Sequence, residues 1–159
     1  MRKAIVTDKA PKPLGPYSQA VVEGDFIFLA GQGCSNPLTG KLELGDVRSE
    51  TKRTFENVRA ILQAAGSSLD QVMKCNVYLR DINDFAAMNE VYATFFSAPF
   101  PARTTIQAGA LPGGIAVEIE CIAKRARKTA RKTAPKTAPK TARKTAPKTA
   151  RKTARKKAR

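Results

Sequence analysis

The chain has 159 residues, no histidine, three cysteines and a formal net charge of +16 at pH 7. Without histidine it cannot assemble a Ser-His-Asp or Cys-His nucleophile system, nor the histidine ligand sets on which most catalytic zinc sites depend. Cys34, Cys75 and Cys121 are far apart in sequence and form no Cys-x-x-Cys, so they read as reduced thiols rather than a disulfide framework or thiolate metal site, and no cofactor is implied.

The charge is concentrated at one end. Residues 1–123 hold 12 Lys/Arg and all 13 Asp/Glu, whereas residues 124–159 carry the other 17 basic residues and no acid. The length suits one domain, so the expected organisation is a near-neutral body over residues 1–124 and a polycationic tail over residues 125–159. Behind Arg2-Lys3 only Ala4-Ile5-Val6 precede Thr7-Asp8, too short for a secretory segment, and no apolar run approaches membrane length. A soluble, cytoplasmic protein without membrane partners is expected.

In chain order, Ala4 to Val6 suits a short edge strand, and the three prolines between Lys9 and Pro16 demand a loop. Tyr17 follows in an extended context, either as an aromatic pin for that loop or as a ring facing a small ligand. Gln19–Glu23 and Phe26–Ala30 flank Gly24-Asp25 as a hairpin. Gly31-Gln32-Gly33 lacks the third glycine of a dinucleotide fingerprint, and Asn36 to Gly40 is a turn. Asp46 is placed to cap a helix running to Ala65, with Phe55, Val58, Ile61, Leu62 and Ala65 as its apolar stripe and Gly66 as its stop. Val72–Leu79 reads as a strand with Val72, Lys74, Asn76 and Tyr78 on one face. Asp84 is expected to cap a second helix bearing Met88, Val91, Tyr92, Phe95 and Phe96, ended by Ser97-Ala98-Pro99.

Two more strands close the body, Thr104–Gln107 and Ala116–Ala123, separated by Leu111-Pro112-Gly113-Gly114. In the last strand, Val117, Ile119 and Cys121 share one face, Glu118 and Glu120 the other. Pro101 fixes the entry to the preceding strand and leaves Arg103 at its start. A guanidinium fork matches a carboxylate in bidentate fashion, and a nearby carboxylate can orient or deprotonate a water. The plainer alternative is an Arg-Glu ion pair across neighbouring strands. The element order β-β-β-α-β-α-β-β predicts an α+β fold, one mixed or antiparallel sheet with two helices on one face. The other face needs cover, so self-association is expected.

Pro101-Ala102-Arg103, Leu111-Pro112 and Val117-Glu118-Ile119 resemble the signature of the RidA family of enamine/imine deaminases. Upstream, Leu14-Gly15-Pro16-Tyr17-Ser18-Gln19-Ala20, Ala30-Gly31-Gln32, Thr54-Phe55-Glu56-Asn57-Val58, Ala64-Ala65-Gly66 and Met88-Asn89-Glu90-Val91-Tyr92 match in the same order. The resemblance covers roughly residues 3 to 124 and implies a chorismate-mutase-like fold assembled as a homotrimer, with a pocket at each subunit interface. It implies hydrolysis of reactive 2-imino or 2-enamino acids, such as 2-iminobutanoate and 2-iminopropanoate, to 2-keto acids and ammonia. On this reading Arg103 clamps the substrate carboxylate and Glu118 positions or activates water. Tyr17, Gly31, Asn89 and Thr105 line the pocket. Where the family often has cysteine this chain has Thr105, and where it has serine or another small residue this chain has Thr104.

From Arg127 the chain repeats RKTA, PKTA and RKKA quartets to Arg159. With no large apolar residue and like charges throughout, this tail is expected to be disordered and similar in composition to linker-histone tails. Either it binds DNA or RNA phosphates without sequence readout, drawing the protein toward the nucleoid, or it is a solubilising extension without a partner; an anionic membrane surface has no acyl site or apolar anchor to support it. The alternative function is therefore a RidA-like trimeric scaffold that presents basic tails to nucleic acid without catalysis.

Overall fold

The computed structural model describes residues 1–125. The expected tail lies outside the described residues except for Arg125, whose N–H donates to Asp25 O. Eight principal elements follow in the expected order: β1 (Lys3–Ile5), β2 (Ala20–Glu23), β3 (Phe26–Leu29), α1 (Val47–Ala64), β4 (Val72–Leu79), α2 (Phe85–Phe95), β5 (Ala102–Gln107) and β6 (Val117–Lys124). They form one mixed six-stranded sheet in the order β1-β2-β3-β6-β4-β5, antiparallel except for the parallel pair β4 and β5 joined through α2. Among the described residues no helix is long and apolar enough to cross a membrane.

The termini of α1 follow from its sequence. The Asp46 carboxylate accepts from Ser49 N at 2.8 Å, satisfying one of the first-turn N–H groups that have no intrahelical partner. At the other end Gly66 adopts φ +78°, and Gly66 N and Ser67 N return to Gln63 O and Leu62 O, a Schellman closure. A Cβ at Gly66 would meet nothing within 4 Å, so any penalty there comes from the backbone alone. Gly66→Ala is expected to cost about 1–2 kcal/mol, read as a lower urea midpoint at fixed protein concentration, with Gly66→Asn recovering part of it. An unchanged midpoint would mean that this residue does not need its left-handed conformation.

Along the inner face of α1, Phe55, Val58, Ile61 and Leu62 are wholly buried. Phe55 is the hub, with its ring centroid 4.8 Å from that of Phe95 and 5.4 Å from those of Tyr92 and Phe96. These contacts lock α2 to α1 over the sheet face that carries Ile27, Leu29, Cys75, Val77, Val117, Ile119, Cys121 and Ala123. The opposite face has no helix, and Phe26, Phe28 and Ile106 are exposed there.

Three details depart from the expected pattern. Val72 pairs with Ala123 and Lys74 with Ile122, so Met73 is an extra residue in the ladder. This bulge puts Val72 on the buried face with Cys75, Val77 and Leu79, and leaves Met73 exposed. Asp84 precedes α2 but its side chain makes no capping bond; Asp81 instead accepts from Asn83 N and starts a short 3-10 turn, Ile82–Asp84, that feeds the helix. Finally, β5 and β6 are not neighbours, because β4 lies between them.

Candidate functional site

Arg103 is the second residue of β5, the edge strand, and its register partner on β4 is Cys75. Because Cys75 faces the helices, so does Arg103. Its guanidinium carbon sits 4.5 Å from the centroid of the Tyr92 ring and 5.5 Å from that of Phe85, a cation–π shelf that orients the side chain without consuming its in-plane N–H donors. Phe85, Asn89 and Tyr92 are spaced i, i+4 and i+7 along α2, so Asn89 shares the helix face that meets Arg103. Asn89 is itself half-buried.

Among the described residues the ion pairs are Met1–Glu23, Arg48–Glu90, Arg53–Glu43 and Arg53–Glu56. Among them Arg103 has no acidic partner. Two residues along β5 on the same face, the buried Thr105 hydroxyl has no hydrogen-bond partner, and neither has the Tyr92 hydroxyl. Unmade hydrogen bonds of buried polar atoms are costly, and such atoms beside an uncompensated guanidinium suit an anionic, hydrogen-bonding ligand. Burial, followed by the neighbouring Cys75, pushes the Tyr92 phenol well up and keeps it protonated.

Glu118 lies on the other side of the sheet. Cys75 pairs with Cys121, and Glu118, three residues before Cys121 on β6, therefore points away from the helices. Its neighbour Glu120 is engaged, accepting from Asn76 Nδ2 at 2.6 Å and Tyr78 Oη at 3.1 Å. No hydrogen bond to the Glu118 carboxylate occurs among the described residues. Burial first, and the like charge of Glu120 second, push the Glu118 carboxyl up from its ordinary value, which makes it a better proton acceptor than a free carboxylate.

Gly31 leaves room for this carboxylate in its present position. A Cβ built there would come within 1.9 Å of Glu118 Oε1 and 2.8 Å of Cδ. The approach is held by reciprocal backbone bonds of 2.9 Å between Gln32 and Ile119. Asn57 Nδ2 adds bonds to Gly33 O at 3.0 Å and Ser35 O at 2.9 Å. Tyr17 is half-exposed on the loop before β2, and its hydroxyl accepts from Leu14 N at 3.1 Å. Its ring therefore braces its own loop rather than the core.

Of the residues singled out from the sequence, the fold places Arg103 and Thr105 on the helix side of the sheet edge, facing the α2 surface that bears Asn89. Gly31 and Glu118 meet on the open face. The two groups do not share a face of one chain, and the plainer alternative, an Arg103–Glu118 ion pair across neighbouring strands, is not formed. The aromatic shelf is absent from the sequence expectations, because helical periodicity assigns Tyr92 to the core stripe of α2 and says nothing of its contact with Arg103. Its spacing of three from Asn89 and seven from Phe85 was the available signal.

Two concavities lie elsewhere. A groove of about 410 Å³ runs between α1 and α2, lined by Arg48, Lys52, Glu90, Val91, Thr94 and Phe95. A hollow of about 170 Å³ on the open face is lined by Phe28, Lys74, Asn76, Glu120 and Ile122, among others. Neither of the two is lined by Arg103 or Glu118. Among the described residues no group of three His, Cys, Asp or Glu side chains is placed to hold a metal ion.

Residues 7–125 match the family described as endoribonuclease L-PSP. A RutC family protein of Pyrococcus horikoshii is 50% identical over 123 residues, covering 77% of this chain and 98% of that protein. The 2-iminobutanoate/2-iminopropanoate deaminase of Bos taurus is 47% identical over 123 residues, covering 77% of this chain and 90% of that protein. Among solved structures, E. coli TdcF with bound serine superposes with a TM-score of 0.74 at 42% identity, covering 78% of this chain and 99% of TdcF.

Proposed function

The chain belongs to the endoribonuclease L-PSP family, the RidA family, and from that premise we propose that it hydrolyses 2-imino and 2-enamino acids, such as 2-iminobutanoate and 2-iminopropanoate, to 2-keto acids and ammonia. The observation that carries this reading is Arg103, a guanidinium laid on two aromatic rings with no acidic partner among the described residues. A fork of donors so held is matched by a carboxylate, the one anionic group shared by these substrates and by the serine bound to TdcF. Relatives at 47% identity carry the deaminase name. RNA cleavage, the activity in the family's other name, draws no support from a chain without histidine.

Little chemistry is demanded of the protein. An imine carbon is already electrophilic, so orientation and one activated water suffice. Arg103 holds the carboxylate, with Thr105 and Asn89 beside it. Glu118 takes a proton from water as its oxygen attacks the imine carbon and passes it to the nitrogen, giving a carbinolamine; the hydroxyl proton then moves through Glu118 to the same nitrogen as the C=O bond forms, the C–N bond breaks and ammonia leaves. Because Arg103 and Glu118 occupy opposite faces of one sheet, the two roles meet only when the helix-side edge of one copy faces the open face of another. That geometry supports a homotrimer whose sites lie between subunits, with Tyr17 contributed from its half-exposed loop. The test is 2-iminobutanoate breakdown, with the imine generated in situ by a pyridoxal-phosphate dehydratase, by the full chain and by residues 1–124. No acceleration by either protein would overturn the reading.

The polarity of the chain favours a second, compatible role. Seventeen cations without an acid beyond residue 123 suit phosphate backbones bound by counterion release. We expect duplex DNA affinity to fall steeply with salt, to depend little on sequence, and to vanish in the 1–124 protein while imine hydrolysis persists. Salt-titrated DNA and RNA binding of both proteins checks this; binding that survives truncation would refute it.

A further inference from the structure

Cys75 and Cys121 take no part in the proposed chemistry, yet they face each other directly across β4 and β6. Both are buried, and their Sγ atoms are 3.4 Å apart. Residues directly opposite in an antiparallel pair have Cα atoms about 4.5–5.5 Å apart, within the roughly 4.4–6.8 Å over which a disulfide closes without backbone movement. The remaining cysteine, Cys34, does not compete. Burial and the adjacent Glu50 push its thiol up to about 11, which leaves it protonated and a poor nucleophile at neutral pH.

We propose that Cys75 and Cys121 are a two-electron redox pair, a modification site for small hydroperoxides that closes into an intrachain disulfide between adjacent strands of the sheet. Cys75 is the attacking group. It lies in register with Arg103 of the edge strand, whose positive charge favours its thiolate. Cys121 lies on β6, one strand further from that edge, and resolves the intermediate. Arg103, on the edge strand beside Cys75, marks the side from which local fraying admits a small oxidant.

The Cys75 thiolate attacks the terminal oxygen of the hydroperoxide, the S–O bond forms, the O–O bond breaks and an alcohol leaves, giving a sulfenic acid. Cys121 then attacks the Cys75 sulfur and gives up its proton, the S–S bond forms, the S–O bond breaks and water leaves. Two thiols and one hydroperoxide thus become one disulfide, one alcohol and one water, with the two sulfurs oxidised and the peroxide reduced by two electrons.

The test uses the full chain and tert-butyl hydroperoxide, with free glutathione in the same solution as a reference thiol. After denaturing alkylation, the number of modified cysteines is expected to fall from three to one, with Cys75 joined to Cys121 in the peptide map and full reversal by dithiothreitol. Cys34→Ser is expected to leave this linkage intact. Cys121→Ala should leave Cys75 as a sulfenic acid trapped by dimedone. Three alkylatable thiols after glutathione is fully oxidised, or linkage through Cys34 or between chains, would overturn the proposal.

Discussion

Arg103→Ala is expected to lower kcat/KM for 2-iminobutanoate by about 10²–10⁴-fold, because two charge-assisted hydrogen bonds worth about 1.5–3 kcal/mol each are lost from the bound carboxylate. The fold should survive, since Arg103 lies at the sheet edge and forms no ion pair among the described residues. Arg103→Lys should recover little: an ammonium keeps the charge but loses the planar fork and its flat seat on Tyr92 and Phe85. Steady-state kinetics with circular dichroism and sedimentation on each variant decide the matter. Near-normal turnover in a folded, normally assembled alanine variant would remove the carboxylate clamp from the mechanism.

Glu118→Gln keeps the shape of the side chain while removing its basicity. Its chemical step should slow by about 10²–10⁴-fold, the range for a positioned acid–base group, with substrate binding less affected. Glu120→Gln is the control, because that carboxylate is already occupied by Asn76 and Tyr78. Equal and small effects from the two changes would mean that this face is merely polar. The pH profile adds a second reading. Since burial first and Glu120 second raise the Glu118 pKa, the acid limb of kcat/KM should lie above the ordinary carboxylate range and move down in Glu120→Gln.

Stability should move the other way from activity. A carboxyl whose folded pKa exceeds its unfolded value binds more protons in the folded state between those two values, so stability falls as pH rises through that window. Glu118→Gln should therefore raise the melting temperature at neutral pH and lose that advantage at about pH 3, below the ordinary carboxylate range. The increment should be modest, because the group is only half-buried. A melting temperature that responds identically at both pH values would contradict the assigned shift.

Much of this protein was settled by local pattern. Asp46 and Gly66 bound α1 because capping and left-handed closure are decided within a few residues. The alternation of Val117, Ile119 and Cys121 with Glu118 and Glu120 placed the carboxylates on the polar face of β6 because a strand has a period of two. The RidA resemblance was legible because its motifs occur in order along the body. The face of Val72 was not legible from alternation, since one bulge residue at Met73 resets the period and nothing in the strand's own composition marks it.

What tertiary structure decided was the relation between distant elements. The insertion of β4 between β5 and β6 separates Arg103 from Glu118 and sets them on opposite faces, although only fourteen positions divide them in sequence. The same strand order brings together Cys75 and Cys121, 46 positions apart, at thiol contact. It also brings Arg103 onto the rings of Phe85 and Tyr92. Hydrophobic periodicity reports which face of an element is buried and not which element buries it, because apolar burial is non-directional. Strand order, and with it the partners of each functional side chain, comes from the packing of the whole chain.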